Sequence, residues 1–312
     1  MAMRNFKGRV AVITGAGRGL GRAYALLLGS LGAKVVVNDP GGAVRGDGPD
    51  ASIAQSVVDE ILAAGGEAIA NTDSVATPEG GRAIVQAALD TWGRIDVLIH
   101  NAGNVRYGKI RDIGYEDFRS VVDVHLMGAF HVVQAAFPPM QDAGYGRIVL
   151  TSSIGGIYGN KACVNYGMAK SGMIGLANVA ALEGEDCNVK CNVIVPSAVT
   201  RMAEGIDTSQ YPPMEPGLVA PAVAWLAHED CSISGEMIAA IAGRVARMFI
   251  AETPGVYQPS WTLDEVAEAA PRFLDNAEIL DFGLHGHVDH ITYSFGMATR
   301  GQAPLMNNTV DN

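Results

Sequence analysis

The sequence predicts a single doubly wound α/β domain over residues 1–245, a parallel sheet with helices on both faces, followed by a C-terminal extension over residues 246–312. Three observations predict it. Short apolar strands alternate with longer helical stretches from Val10 to Ala242, the pattern of a parallel sheet covered on both sides. The first strand runs through a glycine turn directly into a helix. No linker, repeat or low-complexity segment divides the 312 residues, a length that suits one large domain although two small ones would fit. Right-handed crossovers would then place every strand's C-terminal end on one side of the sheet.

Composition narrows the class. Hydrophobic residues make up 48% and charged residues 18%, so a sizeable core is expected. The net charge of −11 argues against a nucleic-acid partner, and any anionic ligand must be held by local groups. Of the four cysteines, Cys187 and Cys191 are four apart without a histidine nearby, so Cys163, Cys187, Cys191 and Cys231 are expected to be reduced, mostly buried thiols rather than metal ligands. The N-terminus lacks an apolar signal region, and no uninterrupted apolar run reaches the about 18 residues of a membrane span. The last four residues, 309–312, form no legible targeting signal. The expectation is a soluble, cytoplasmic protein with no membrane partner.

Residues 10–13 (VAVI) read as a short buried strand, 14–21 (TGAGRGLG) as the glycine turn and 22–28 as a helix. Without side chains the turn can approach a pyrophosphate, and amides at the helix start point at negative charge. Residues 34–38 form the next strand, ending in Asp39, eighteen residues after Gly21. A carboxylate there accepts hydrogen bonds from the adenosine ribose and repels a 2′-phosphate, so Asp39 predicts NAD over NADP. Arg18 pulls weakly the other way, because a guanidinium can hold that phosphate. Residues 40–49 form an aperiodic insertion, long for a loop where about 2–6 residues are usual; it either neighbours the adenine or lies on the surface.

Residues 51–64 read as a helix closed by Gly65 and Gly66, and 67–71 as a third strand. Asp73 and Ser74 follow it and could hydrogen-bond the adenine amino group. Thr77 and Pro78 start a helix, one as cap and the other at the first position, that ends near Gly93. A fourth strand at 95–99 leads into His100-Asn101-Ala102-Gly103. Arg106, Lys109 and Arg111 make the next loop cationic, either as a solvated surface or as a place for the phosphates of a long substrate. Residues 116–137 read as a long helix carrying Asp123, His125 and His131 and ended by Pro138 and Pro139.

After a strand at 147–150 comes TSSIGGIYGNKACVNYGMAK, residues 151–170. Tyr166 and Lys170 are four apart, one turn along the same helix face. Ser153 lies thirteen residues before Tyr166, and a glycine-rich loop between them (Gly155, Gly156, Gly159) is long enough to return the hydroxyl to the phenol. A phenol titrates at about 10 and is a poor base at neutral pH. A neighbouring ammonium favours the phenolate and is expected to lower that value. Tyr166 could then take a proton from an alcohol as hydride leaves, or return one to a carbonyl, while Ser153 holds the same oxygen. Alone, a Tyr-x-x-x-Lys is as easily a core tyrosine beside a surface lysine.

The helix carrying Tyr166 continues through Met173, Leu176, Val179 and Leu182 and is apolar on two sides, so one side can meet a partner subunit. Residues 189–195 form the sixth strand, 196–200 lie where a nicotinamide would sit, 219–227 read as a helix, and 237–242 as the last strand.

Taken jointly, TGxxxGxG at 14–21, Asn101-Ala102-Gly103, Ser153 with Tyr166-x-x-x-Lys170, and residues 196–200 resemble the short-chain dehydrogenase/reductase family over residues 5–245. The stretches 21–28, 35–42, 125–130, 151–160 and 220–229, and the glycine-rich insertion after Asp39, are similar to its (3R)-hydroxyacyl-CoA dehydrogenase subgroup. The resemblance implies a Rossmann-type fold, NAD as cofactor, and a homodimer or homotetramer. It implies that Tyr166 is the acid/base, that Lys170 binds the nicotinamide ribose and that Ser153 orients the substrate oxygen. Gly15, Gly19, Leu20 and Gly21 would line the pyrophosphate. Asp39, Asp73, Ser74 and Asn101, with Ala102 and Gly103 beside it, would hold the adenosine half, and Val199 the nicotinamide amide. Hydride would pass between nicotinamide C4 and the 3-carbon of a hydroxyacyl thioester, in fatty-acid or sterol side-chain β-oxidation. A dehydrogenase of steroid ring alcohols and a non-catalytic NAD-binding subunit are the alternatives.

Two positions depart from the common pattern. His125 stands where many members have an asparagine that helps hold a proton-relay water. His100 replaces the first asparagine of Asn-Asn-Ala-Gly, and only a local effect is expected. Beyond Ala246 the resemblance fades. Thr262 and Glu265 form a capping-box pattern, which points to a helix, and the extension is expected to cover substrate or to reach a neighbouring subunit. His285, His287 and His290 have the composition of a metal site but no matching spacing, and Gly286 argues against a helix there.

Overall fold

The structure, a computed structural model, describes residues 4–42, 48–200 and 210–300. The middle of the insertion, 43–47, and the terminal residues 301–312 lie outside them. The chain divides into two compact units, residues 1–248 and 249–312.

In the first unit a sheet forms from β1 (Val10–Thr14), β2 (Lys34–Asn38), β3 (Glu67–Asn71), β4 (Val97–His100), β5 (Gly146–Thr151), β6 (Val189–Ser197), β7 (Met237–Ile241) and β8 (Arg244–Met248). Among the described residues its order is β3-β2-β1-β4-β5-β6-β7-β8. Every pair is parallel except β7–β8, so the expected parallel sheet gains one antiparallel edge. Sequence reading ended the sheet at Ala242. The chain instead turns back through Ala242 and Gly243, both at positive φ, and β8 carries Arg244 and Arg247 and is largely exposed, as suits a solvated edge.

The helices are α1 (Gly19–Ser30), α2 (Ser52–Ala63), α3 (Pro78–Trp92), α4 (Tyr115–Val122), α5 (Gly128–Asp142), α6 (Ile154–Ile157), α7 (Val164–Glu183) and α8 (Ala220–Leu226). α1 packs against α2 and α8, while α3 packs on α5 and α4 on α7, so both faces are covered. α1 buries Gly21, Tyr24, Ala25, Leu28 and Gly29, a single stripe at helical spacing. The central strands are buried on both faces: Val10, Ala11, Val12 and Ile13 are all at or below 1% exposure. Each large aliphatic side chain so buried stabilises by about 1.5–3 kcal/mol.

α3 starts as its sequence demands, with Thr77 Oγ1 accepting the Gly80 amide at 3.1 Å and Pro78 at the first position. The long helix does not stop at Pro138. α4 passes through a π-turn, Asp123–Met127, into α5, which runs to Asp142 with both prolines inside. Proline removes a donor but its φ is helical, and Phe137 and Met140 are buried around the pair while Gln134 and Pro138 face outward. The stretch Tyr115–Asp142 has the length and apolar composition of a spanning helix, yet half of its most apolar window is buried inside the protein.

The switch in strand order falls between β1 and β4. The crossovers on either side of it diverge, leaving a crevice at the C-terminal strand ends. At the opposite edge Asp96, 1% exposed, accepts from the Val10 amide, Arg9 and Arg94 and ties the strand starts together.

The second unit contains α9 (Leu263–Phe273) and α10 (Gly286–Arg300). The capping box is formed, Thr262 Oγ1 accepting from Glu265 N and the Glu265 carboxylate from Thr262 N. Contrary to expectation, Gly286 begins a helix. A glycine at a helix end costs far less than one in its interior. His290 pairs with Glu252 at 3.2 Å and its ring meets Phe282 edge-on. Among the described residues no three His, Cys, Asp or Glu side chains cluster as metal ligands. The four cysteines are free thiols, three of them buried.

Candidate active site

The crevice at the switch point encloses a cavity of about 440 Å³. Its floor is the glycine turn between β1 and α1. A Cβ added to Gly21 would lie 2.1 Å from the Gly15 oxygen, and one on Gly15 would lie 2.7 Å from Ala102 Cα. Only bare backbone fits where these segments cross. Arg18, the cap of α1, makes no side-chain bond to the helix, so the first-turn amides remain directed at the cavity. Close backbone, free helix-start amides and cavity size together fit a dinucleotide pyrophosphate.

Gly15, Arg18, Gly19, Leu20, Asp39, Ser74, Asn101, Ala102, Gly103, His125, Tyr166 and Lys170 all line this cavity. Asp39 is 9% exposed, with Oδ2 accepting from Gly17 N at 3.0 Å and Oδ1 from Gly41 N at 2.7 Å. Its carboxylate thus clasps the glycine turn to the start of the insertion as well as facing the cavity. Asn101 Nδ2 donates to the Gly15 oxygen at 3.0 Å, and Arg18 to the Gly42 oxygen at 3.3 Å. Gly21 lies buried behind the lining. Asp73 is turned to the end of β3, accepting from Asn71 Nδ2 at 2.8 Å. The Val199 amide is taken up by the Met214 oxygen at 2.8 Å, and its neighbours Ala198 and Thr200 are the ones lining the cavity.

A second cavity of about 310 Å³ is lined by Val105, Tyr107, Ser153, Ile154, Tyr158, Cys163 and Tyr166 among others. Tyr166 is therefore common to both cavities. The glycine stretch after Ser153 is not all loop, as its glycines suggested, since Ile154–Ile157 form a short helix. Ser153 caps this helix, α6, accepting from Gly155 N at 3.1 Å, and lines the second cavity together with Tyr166, close enough to lower the phenol's pKa. α7 is anchored by Asn165, whose amide donates to the Arg106 and Asp117 oxygens, and by Ser152 Oγ donating to the Lys170 oxygen at 2.7 Å. A Cβ on Gly156 would lie 2.6 Å from Lys170 Cβ, so α6 packs directly on the lysine's backbone.

The electrostatics differ from the sequence expectation. Burial raises the Tyr166 pKa above its ordinary value, opposed by the Ser153 hydrogen bond. Lys170, 3% exposed, is itself lowered by burial to about 7. Its Nζ donates to the Thr151 oxygen at 2.6 Å and lies 5.8 Å from the centre of the Tyr166 ring. Desolvation dominates because Lys170 is buried and Tyr166 is half-buried between the two cavities, where either charge is costly.

His125 stands in the π-turn, its ring 5.3 Å from that of Tyr166 and edge-on, with Nε2 against the Asn104 backbone. π-turns are rare and often occur at functional sites. Of the cationic loop, Arg106 pairs with Asp117 and Arg111 with Asp112, both at 3.2 Å. Sequence reading missed Thr14 and Thr151. Thr14 Oγ1 joins β1 to the Asn101 loop, and Thr151 supplies the oxygen that holds Lys170. Both end a strand as the first residue of a motif, which is the one signal that could have found them.

The fold, the glycine crevice and the Tyr–Lys helix define an oxidoreductase of the short-chain dehydrogenase type. The chain belongs to that family, whose description, short chain dehydrogenase, matches residues 9–210. It is 49% identical to the peroxisomal multifunctional enzyme type 2 of Drosophila melanogaster over 257 residues, covering 82% of this chain and 42% of that protein. It is 46% identical to the Mus musculus enzyme of the same name over 244 residues, covering 78% of this chain and 33% of that one. The solved full-length Drosophila enzyme superimposes with a TM-score of 0.78 at 38% identity, covering 96% of this chain and 51% of that structure. The chain thus spans less than half the length of these two curated relatives.

Proposed function

We propose that this chain is an NAD-dependent dehydrogenase interconverting (3R)-3-hydroxyacyl-CoA and 3-ketoacyl-CoA thioesters. The observation that carries the reading is Tyr166, common to a crevice suited to a dinucleotide and to a second, mostly apolar cavity with Ser153. A bound nicotinamide supplies the hydride acceptor or donor. Ser153 holds the substrate oxygen, and Tyr166 Oη takes its proton during oxidation or returns one during reduction. Lys170 steadies the ribose and, when charged, stabilises the phenolate. Asp39 faces the adenosine end, which supports NAD over NADP; Ser74, Asn101, Ala102 and Gly103 complete that half. Asp73 and Val199 belong to the same assignment through Asp73's side chain and the Val199 carbonyl.

The hydroxyacyl reading draws on the relationship to the multifunctional enzymes and on the loop of Arg106, Lys109 and Arg111 beside the second cavity. Arg106 is largely shielded and pairs with Asp117, so the exposed Lys109 and Arg111, the latter beside Asp112, are the better candidates for CoA phosphates. Exposed Met168, Val179 and Leu182 on α7 support a homodimer or homotetramer. The cytoplasmic address is part of the proposal; the fly and mouse relatives carry peroxisomal names. A panel of short, long and sterol-derived 3-hydroxyacyl-CoAs, set against free steroid alcohols, tests the function with NADH formation as readout. Turnover of free steroid alcohols alone would replace the thioester by the steroid reading.

A further inference from the structure

One hydroxyl at the end of β1 determines where a buried histidine carries its proton. Thr14 Oγ1 accepts the Asn101 and Ala102 amides, each at 3.1 Å. A hydroxyl has two lone pairs and one proton. With both lone pairs occupied, the proton goes to His100 Nδ1, 3.1 Å away. His100 must then hold its own proton on Nε2, which donates to the His125 main-chain oxygen at 3.0 Å. The ring is 0% exposed, and burial lowers its pKa to about 3, so it stays neutral.

The far end of this chain of donors is the π-turn. The His125 ring is confined there: a Cβ on Gly103 would lie 2.3 Å from it, and the Tyr166 ring lies edge-on at 5.3 Å. A shift of the His125 backbone toward either neighbour therefore presses its ring on Gly103 or on Tyr166. The same Thr14 hydroxyl holds the Asn101 loop that lines the dinucleotide crevice. We propose that His100 is a positioning residue: in a single tautomer, accepting from Thr14 and donating to the His125 carbonyl, it ties the glycine-turn strand to the π-turn and holds the His125 ring edge-on to the Tyr166 phenol.

The catalytic half of this inference rests on Tyr166 as the proton-transfer group; the tautomer does not. Two measurements test it. In the ¹⁵N-labelled full chain, with the ring assigned by comparison with His100→Asn, we expect a protonated Nε2 and a bare Nδ1 at neutral pH. A protonated Nδ1 overturns the proposal. With 3-hydroxybutyryl-CoA and NAD, His100→Leu is expected to lower kcat by about tenfold or more at unchanged KM for NAD. His100→Asn, which keeps an acceptor and a donor, should stay within about threefold of wild type. Equal losses in both variants, or a full rate in His100→Leu, overturn it, since a merely space-filling ring would not distinguish the two. Full activity of Tyr166→Phe would sink the site reading while leaving the tautomer result standing.

Discussion

Lys170 Nζ donates to the main-chain oxygen of Thr151 at 2.6 Å, at the end of β5. The lysine shares a helix face with Tyr166, yet its hydrogen bond goes to the sheet, and its Nζ lies 5.8 Å from the centre of the phenol ring. The bond to β5 holds the buried amine at the crevice, while burial favours the protonated phenol. In the proposed reduction, where the phenol would give up a proton, the reaction would start from the state that burial favours.

Tyr166→Phe keeps the ring that packs against His125 and removes the only proton it can transfer. Turnover should fall by about 10²–10⁴-fold. NADH affinity, followed by fluorescence, should change by no more than a few-fold. A variant with wild-type kcat would remove the acid/base role.

Lys170 makes stability depend on pH. Its folded pKa, about 7, lies below its ordinary 10.5. Between those values the unfolded chain holds a proton that the folded one lacks, so stability rises with pH through that window and the full cost is present below it. Lys170→Met removes the cost. The variant should be more stable near pH 7 by on the order of 2–4 kcal/mol, while inactive, and the gain should shrink toward pH 10. Urea unfolding at both pH values measures this; a gain independent of pH would contradict it.

Asp39→Ala tests both tasks of the carboxylate. It leaves the Gly17 and Gly41 amides unpartnered, at a cost of about 1–3 kcal/mol for each that water does not reach. It also removes the charge that opposes a 2′-phosphate. Preference for NAD over NADP in kcat/KM should be large in the wild type and collapse in the variant. Equal use of both coenzymes by the wild type would show that Asp39 does not face the ribose.

Gly156→Ala probes the contact between α6 and α7. The new methyl would lie 2.6 Å from Lys170 Cβ and 2.9 Å from its carbonyl carbon, so one helix must move. We expect kcat to fall by at least about tenfold. NAD affinity should hold better, because the glycine turn is untouched. Unchanged kcat in a folded variant would mean that the lysine's placement is not critical.

Much of the architecture could be read without coordinates because its signals are local. The alternation of strands and helices, the glycines at 15, 19 and 21, and the caps at Thr77 and Thr262 each depend on neighbours a few residues away. Right-handed crossovers alone then put the glycine turn, the Asn101 loop and the Ser153 segment at one sheet edge. What packing decided was different in kind. Thr14 and His100 are 86 residues apart, Lys170 and Thr151 are 19, and no periodicity announces which oxygen a buried side chain will meet. The direction of the Tyr166 shift followed from burial, a property of the folded interior, so charge spacing in the sequence pointed the wrong way. The π-turn under His125, the short helix capped by Ser153 and the antiparallel edge β8 likewise arose where tertiary contacts outweighed local preference.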